Sequence, residues 1–343
     1  MPKQSIEIST NIIFKTILII LGLWFLFLVR DVIVLLIVSL IFVSAIEPAV
    51  DFLQKRKVPR AASVLGLYAV LISIFSLAVS FLVPTISQQI GELTRDYPAY
   101  SQKVTDFFLA VNSFITRNHI NIDTNQILGS FGSEISNFSQ NIFSTTLGIF
   151  SSIISLIVIF SLTFYMSVEE DGIKKFIAQV VPKRHHDYAL NLAERVKHKI
   201  GSWLIGQFFL MFIIFLIVYI GLTLAGIPYA LILAIFAGIM EIIPYVGPII
   251  SAIPGVALGF LVSPTAGILA LVVYVLSQQL ENHIITPQVM KKAVGLNPVT
   301  VILALLIGAK LAGTIGAILA IPVATSLSLV VKDYMEYRAK SQA

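Results

Sequence analysis

Cysteine is absent from all 343 residues. That removes disulfides, thiolate metal sites and cysteine nucleophiles together, and leaves the redox compartment unmarked. Charge is scarce as well: Asp, Glu, Lys and Arg make up 12% of the chain, against about a quarter in an ordinary soluble domain. Missing too are a phosphate-cradling Gly-x-x-x-x-Gly-Lys, a His-Glu-x-x-His helix and a Gly-x-Ser-x-Gly turn. ATP-driven pumping by this chain alone and the familiar membrane hydrolases therefore lack support, and no catalytic residue or enzyme activity is expected. His185 and His186 are neighbours that diverge on a helix, with no further ligand at metal spacing. They read as a solvated face, and no metal or cofactor is expected beyond coupling to Na⁺ or H⁺.

What fills the chain instead is apolar surface, at 57% of residues. Runs near 12–29, 31–50, 62–83, 147–167, 203–224 and 265–281 each approach the roughly 20 residues that cross a bilayer. The first is too long for a cleaved signal peptide and lacks a small-residue cleavage site before the second. The net charge of +5 comes from short basic clusters at the ends of these runs, which argues for membrane flanks and against a nucleic-acid partner. Lys55, Arg56, Lys57 and Arg60 form one cluster. Lys174, Lys175, Lys183, Arg184, Arg195, Lys197 and Lys199 form another, and Lys291, Lys292, Lys332, Arg338 and Lys340 follow. The positive-inside rule places these segments and both termini in the cytoplasm. The stretch 84–146 carries three basic residues against five acids and belongs outside. Arg30 breaks the pattern, but adjacent Asp31 can neutralise it in an interfacial turn.

Parity then constrains the topology. The chain is inside at Lys199 and again at Lys291, and the runs 203–224 and 265–281 already supply two crossings. The apolar stretch 231–262 must make none or two. Its first arm, 231–243, spans only about 20 Å as helix, short of the roughly 30 Å hydrocarbon core. In its middle stand Glu241 and the helix-breaking Pro244-Tyr245-Val246-Gly247-Pro248. Broken backbone at membrane depth is tolerated only against protein or a water-filled cavity. A re-entrant hairpin with its tip at 245–247, entering from outside, satisfies this. By the same reasoning 299–331 is a second hairpin, entering from inside, with a soft point at Gly308-Ala309-Lys310-Leu311-Ala312-Gly313; one long tilted span is the competing reading. The expected fold is an all-α polytopic membrane protein with about six transmembrane helices, two re-entrant hairpins and an amphipathic extracytoplasmic segment. Its parts are 1–83 (first spans), 84–146 (outer segment), 147–202 (span and basic loop), 203–331 (transport core) and 332–343 (tail).

Within 84–146 apolar residues keep helical spacing: Ile86, Ile90 and Leu93; Tyr100, Val104, Phe107, Val111 and Phe114; Ile127, Phe131, Ile135, Phe138 and Ile142. Breaks are expected near Pro98 and at 118–121. The stripes read as helices packed on each other or on the membrane, or as an oligomer contact or a cap over an outer vestibule. A homo-oligomer is the expected state.

From Gln278 the chain reads QQLENHIITPQVMKKAVGLNPVTVILALLIGAKLAGTIGAILAIPV. Gln278, Glu281-Asn282, Pro287, Gly295-Leu296, Pro298, the glycines 308, 313 and 316, and the closing Ala320-Ile321-Pro322 resemble the C-terminal signature of the autoinducer-2 exporter family of bacterial permeases. The Pro244-to-Pro248 element resembles that family's Pro-x-x-Gly-Pro. Asn297 stands where many members carry histidine, and Gln288 where lysine is common. The resemblance implies a bacterial inner-membrane protein that moves a small solute. Members are associated with export of a furanone-type quorum signal, others with sodium or lithium exchange for protons.

Candidate residues follow from cost. A carboxylate within an apolar span is expensive and rarely idle, so Glu241 is expected to bind a cation or carry a proton; otherwise it is an acid at a hairpin base reaching water. Gln278, Glu281 and Asn282 share a helix face at spacings of three and four, as a gate or a cytoplasmic cap. Lys310 could pair with Glu241 or Glu281, or snorkel to the interface. Pro244, Tyr245, Gly247 and Pro248 shape a broken backbone whose carbonyls could coordinate a cation. Gly308, Gly313 and Gly316 would let helices approach closely. The leading expectation is a secondary exporter working by alternating access. A sodium(lithium)/proton antiporter is its rival, and a channel or a membrane scaffold are alternatives of another class.

Overall fold

The computed structural model describes residues 10–117, 154–169, 172–290 and 296–342. No strand occurs among the described residues. The helices are α1 (Thr10–Leu28), α2 (Arg30–Lys55), α3 (Arg60–Arg117), α4 (Ile154–Val168), α5 (Gly172–Val180), α6 (His186–Leu224), α7 (Ala230–Met240), α8 (Val246–Val262), α9 (Pro264–Leu280), α10 (Thr286–Met290) and α11 (Pro298–Gln342). Among the described residues five stretches are long and apolar enough to cross a membrane: Arg30–Lys55, Arg60–Leu93, Lys183–Leu224, Pro264–Met290 and Pro298–Glu336. Four of these coincide with expected spans. The expected spans 12–29 and 147–167 correspond to the shorter apolar helices α1 and α4, and residues 147–153 lie outside the described residues. Side chains such as Phe75 and Phe81 on α3 are 71% and 75% exposed, an apolar surface that only lipid or a protein neighbour would cover.

The fifth stretch is not one straight rod. Ala312 and Gly313 leave helical geometry, with Gly313 at φ 60°, ψ −143°, a region open in practice only to glycine. Beyond it the chain doubles back, so that a Cβ placed on Gly308 would collide with the Gly316 carbonyl, and one on Gly316 with the Gly308 carbonyl. Residues eight apart on a straight helix stand about 12 Å apart; here their backbones touch. Gly308 and Gly316 are therefore the contact between two arms, 298–311 and 314–342. Gly313 differs from expectation: it has nothing near its Cβ position and makes the turn rather than a helix contact.

A second hairpin is built from α7 and α8, and each of its ends has a local cause. Before it, α6 stops at Gly226, whose φ of 67° accompanies hydrogen bonds from Ile227 N–H to the Leu222 carbonyl and from Gly226 N–H to the Thr223 carbonyl. This pairing satisfies carbonyls a helix end would otherwise leave open. After it, α8 passes into α9 through Ser263 alone. Ser263 is extended, its hydroxyl accepts from Ala266 N–H at 3.1 Å, and Pro264 takes the first helical position, where its missing N–H costs nothing.

Two apolar clusters hold the C-terminal half together, and α6 belongs to both. Ile214, Val218 and Leu222 of α6 pack with Leu233, Ala234 and Ala237 of α7 and with Ala270 and Tyr274 of α9. Lower on α6, Trp203 and Leu204 pack with Ile41 of α2 and with Val301, Leu305, Leu319 and Ile321 from both arms of α11. Around the second cluster, charged groups pair: Arg60 with Glu47 and Asp51, Lys197 with Glu47, and Arg195 with Asp333. These pairs tie α2, α3, α6 and α11 at one end of the bundle.

The break expected near Pro98 does not occur. α3 continues through Pro84 and Pro98 to Arg117, 58 residues or about 87 Å of helix. Each proline forfeits one backbone bond, but the helical spacing on either side favours a helix, so the proline interrupts the ladder without ending it. The side chains of Val104, Phe107, Val111 and Phe114, and the whole stripe from Ile127 to Ile142, lie outside the described residues.

Candidate functional site

The turn between α7 and α8 occupies 241–245, a few residues earlier than the expected tip at 245–247. Val246, Gly247 and Pro248 form the first turn of α8, where proline is at home. Gly247 is needed for a different reason: a Cβ there would run into the Met240 carbonyl. Tyr245 carries the sharpest bend, at φ 67°, ψ −42°, and Val246 N–H reaches back to the Pro244 carbonyl at 2.8 Å. This is the rare γ-turn with positive φ, a strained conformation for a residue bearing a side chain.

The turn delivers Glu241 into the interior, where it is 1% exposed. Its backbone carbonyl accepts from Gln207 Nε2 at 2.7 Å, so α6 pins the α7 end through a buried amide. The Glu241 carboxyl lies within hydrogen-bonding reach of Glu281, while its Oε2 has no donor among the described residues. Glu281 is buried too, and it opens a π-helical turn, Glu281–Ile285, directly after α9. Such a one-turn widening inside a helix often marks a functional position. Gln278 Nε2 donates to Glu281 Oε2 at 3.0 Å and to Asn282 Oδ1 at 3.3 Å, so the face expected from sequence spacing forms. Two neighbouring carboxyl groups repel when both are charged, and a proton or a cation held between them offsets that.

Beside this pair lies a cleft of about 160 Å³, lined by Glu241, Pro248, Ser251, Tyr274, Ser277, Gln278 and Glu281 at its polar end and by Ile214, Val218, Ala252, Leu271 and Val275 elsewhere. The register of α8 against α9 puts these residues at one level, because Gly255 receives Tyr274 and Gly259 sits against Gly267. Gln207, a neutral residue inside an apolar helix, is absent from the sequence-based candidates. Its polarity within an apolar run is the signal that could have found it. Tyr274 and Ser277 are absent as well; they stand four residues before Gln278 and Glu281 respectively.

Lys310 is placed away from this site. It is exposed on the first arm of α11, and no ion pair of it with Glu241 or Glu281 occurs among the described residues. The turn at 312–313 comes after it, so the helix carries its side chain outward. Pro244 and Tyr245 lie on the turn itself, and Gly308 and Gly316 belong to the separate α11 hairpin. That hairpin packs on α6 and α2, so the acid at the first turn meets α9 rather than the second hairpin. Among the described residues no group of three or more His, Asp or Glu forms a metal cluster.

A family model described as AI-2E family transporter matches residues 13–336. The chain is 30% identical over 285 residues to YueF of Bacillus subtilis (strain 168), provisionally named a transport protein, with 81% of this chain and 77% of YueF covered. It is 25% identical over 327 residues to YrrI of the same organism, also provisionally named for transport, with 93% and 91% covered. To the AI-2 transport protein TqsA of Escherichia coli (strain K12) it is 23% identical over 315 residues, with 91% and 88% covered.

Proposed function

Since this chain belongs to the AI-2E transporter family, we propose that it is a secondary transporter that exports a small solute across the bacterial inner membrane by alternating access. The observation that carries the reading is the buried pair Glu241 and Glu281 at the edge of a cleft, in a chain with several membrane-length apolar helices. A buried acid pair is costly in a membrane protein and marks a solute or ion pathway. In this reading α7–α8 dips in from outside and α11 from inside, both termini are cytoplasmic, and α3 stands outward from the bilayer. The exposed apolar side of α3 contacts lipid and further copies of the chain in a homo-oligomer. A solute like the one in TqsA's name is the first to try.

A sodium(lithium)/proton antiporter is the second reading, favoured by the need for a cation or proton between the two acids. Reconstituted vesicles separate the two readings: antiport requires that an imposed sodium gradient move protons the other way, whereas solute export does not. In either case Glu241→Gln is expected to reduce flux to the level of empty vesicles while the melting temperature holds within a few degrees. Full flux in that variant would remove the acid pair from the mechanism.

A further inference from the structure

We infer that the cleft beside Glu241 and Glu281 binds a small organic monocation: a protonated amine whose apolar body is about the size of benzene. The movement of that ligand rests on the transporter reading above; its binding does not.

Charge sets the sign. Among the described residues the lining holds two carboxyl groups and no Lys, Arg or His, so an anion would enter against two acids and find no countercharge there. Unmet hydrogen-bonding capacity sets the head group. Glu241 Oε2 and the Tyr274 hydroxyl are both buried and unpartnered among the described residues, and both residues line the cleft. A carboxylate accepts only, whereas an ammonium group brings three donors. The apolar part of the lining sets the body. Wherever they lie around the cleft, Ile214 and Val218 from α6, Ala252 from α8 and the partly exposed Leu271 from α9 present no polar side-chain atom. A bare metal ion could take its oxygen ligands from the acids and hydroxyls but would leave this apolar lining unfilled; an alkyl or aryl group fits there.

Size sets the limit. An engineered apolar cavity of roughly 150 Å³ takes benzene, and this cleft has about 160 Å³. Ile249 and Val275 of the lining are 67% and 50% exposed, so exposed residues of the cleft are apolar as well. A ligand of this kind approaches with its body against these residues and its charge toward the acids.

Equilibrium binding to the purified full-length protein tests this with three probes of one size: n-butylammonium, 1-butanol and butyrate. Saturable butylammonium binding is expected, with 1-butanol at least tenfold weaker and butyrate undetectable. Glu241→Gln should weaken butylammonium at least tenfold and leave 1-butanol unchanged. Equal binding of all three probes would overturn the inference, as would displacement of butylammonium by sodium at equal concentration. These wild-type comparisons decide the matter even if the variant does not fold. The same preparation in vesicles keeps the two ideas apart. If another solute is moved while butylammonium neither binds nor competes, the amine site is wrong and the transporter stands. If butylammonium binds but nothing crosses, the site stands and the transporter reading falls.

Discussion

The two helical hairpins of the C-terminal half reverse direction by opposite means. In α7–α8 the turn is made by a strained tyrosine between prolines, and the residue entering it, Glu241, is the most deeply buried acid among the described residues. In α11 the turn is made by a glycine at ease with positive φ, and the neighbouring charge, Lys310, points outward. The first hairpin is held by a side chain, Gln207 on α6, that grips the Glu241 carbonyl. The second is held by its own backbone, where Gly308 and Gly316 leave no room for a Cβ. One hairpin sets a buried acid beside a cleft and the other is built on close backbone packing, although the sequence presents both as apolar stretches with a soft middle.

That contrast can be broken most forcefully at Gly308. Replacing it with leucine pushes a branched side chain into the Gly316 carbonyl and should cost about 3 kcal/mol, read as a fall in the thermal unfolding midpoint in detergent. Gly66→Leu on α3, where a Cβ meets nothing within 4 Å, is the control and should leave the midpoint in place. A smaller effect is expected from Gln207→Leu, which strands the Glu241 carbonyl without its donor at a cost of about 2 kcal/mol. Because that bond fixes the turn rather than the bundle, flux should fall further than the melting midpoint implies. Smallest of all is Lys310→Ala, expected within about 0.5 kcal/mol of wild type and with normal flux. If that change abolished flux instead, the second hairpin would share in the chemistry and the division of labour would collapse.

Much of this arrangement is legible in the sequence itself. Pro244 and Pro248 announce a break, and the short arm 231–243 with the lysine count on either side requires a reversal. Gly308 and Gly313 mark the second soft point in the same way. The remaining details depend on facts that local pattern does not carry. Pro248 reads as part of the helix break, yet the first turn of a helix accepts proline readily, so the turn falls earlier. Pro98 reads as a stop, yet one lost hydrogen bond does not end a strongly periodic helix. Glu281 stands out in the sequence only for its neighbours Gln278 and Asn282. Its meeting with Glu241, from a different part of the chain, depends on the single-residue link at Ser263 and on how Gly255 and Gly259 seat α8 on α9. Pairing Lys310 with an acid follows from charge alone and ignores which way its helix face turns.

Tyr245 has one more implication. A side-chain-bearing residue forced to this backbone geometry costs on the order of 1–3 kcal/mol, and every 1.4 kcal/mol is tenfold in an equilibrium. Were the residue to swing to negative φ, that energy would come back and the bend could open. The tip is thus a bend kept under tension, and the Gln207 grip on the Glu241 carbonyl is among the contacts that outweigh it.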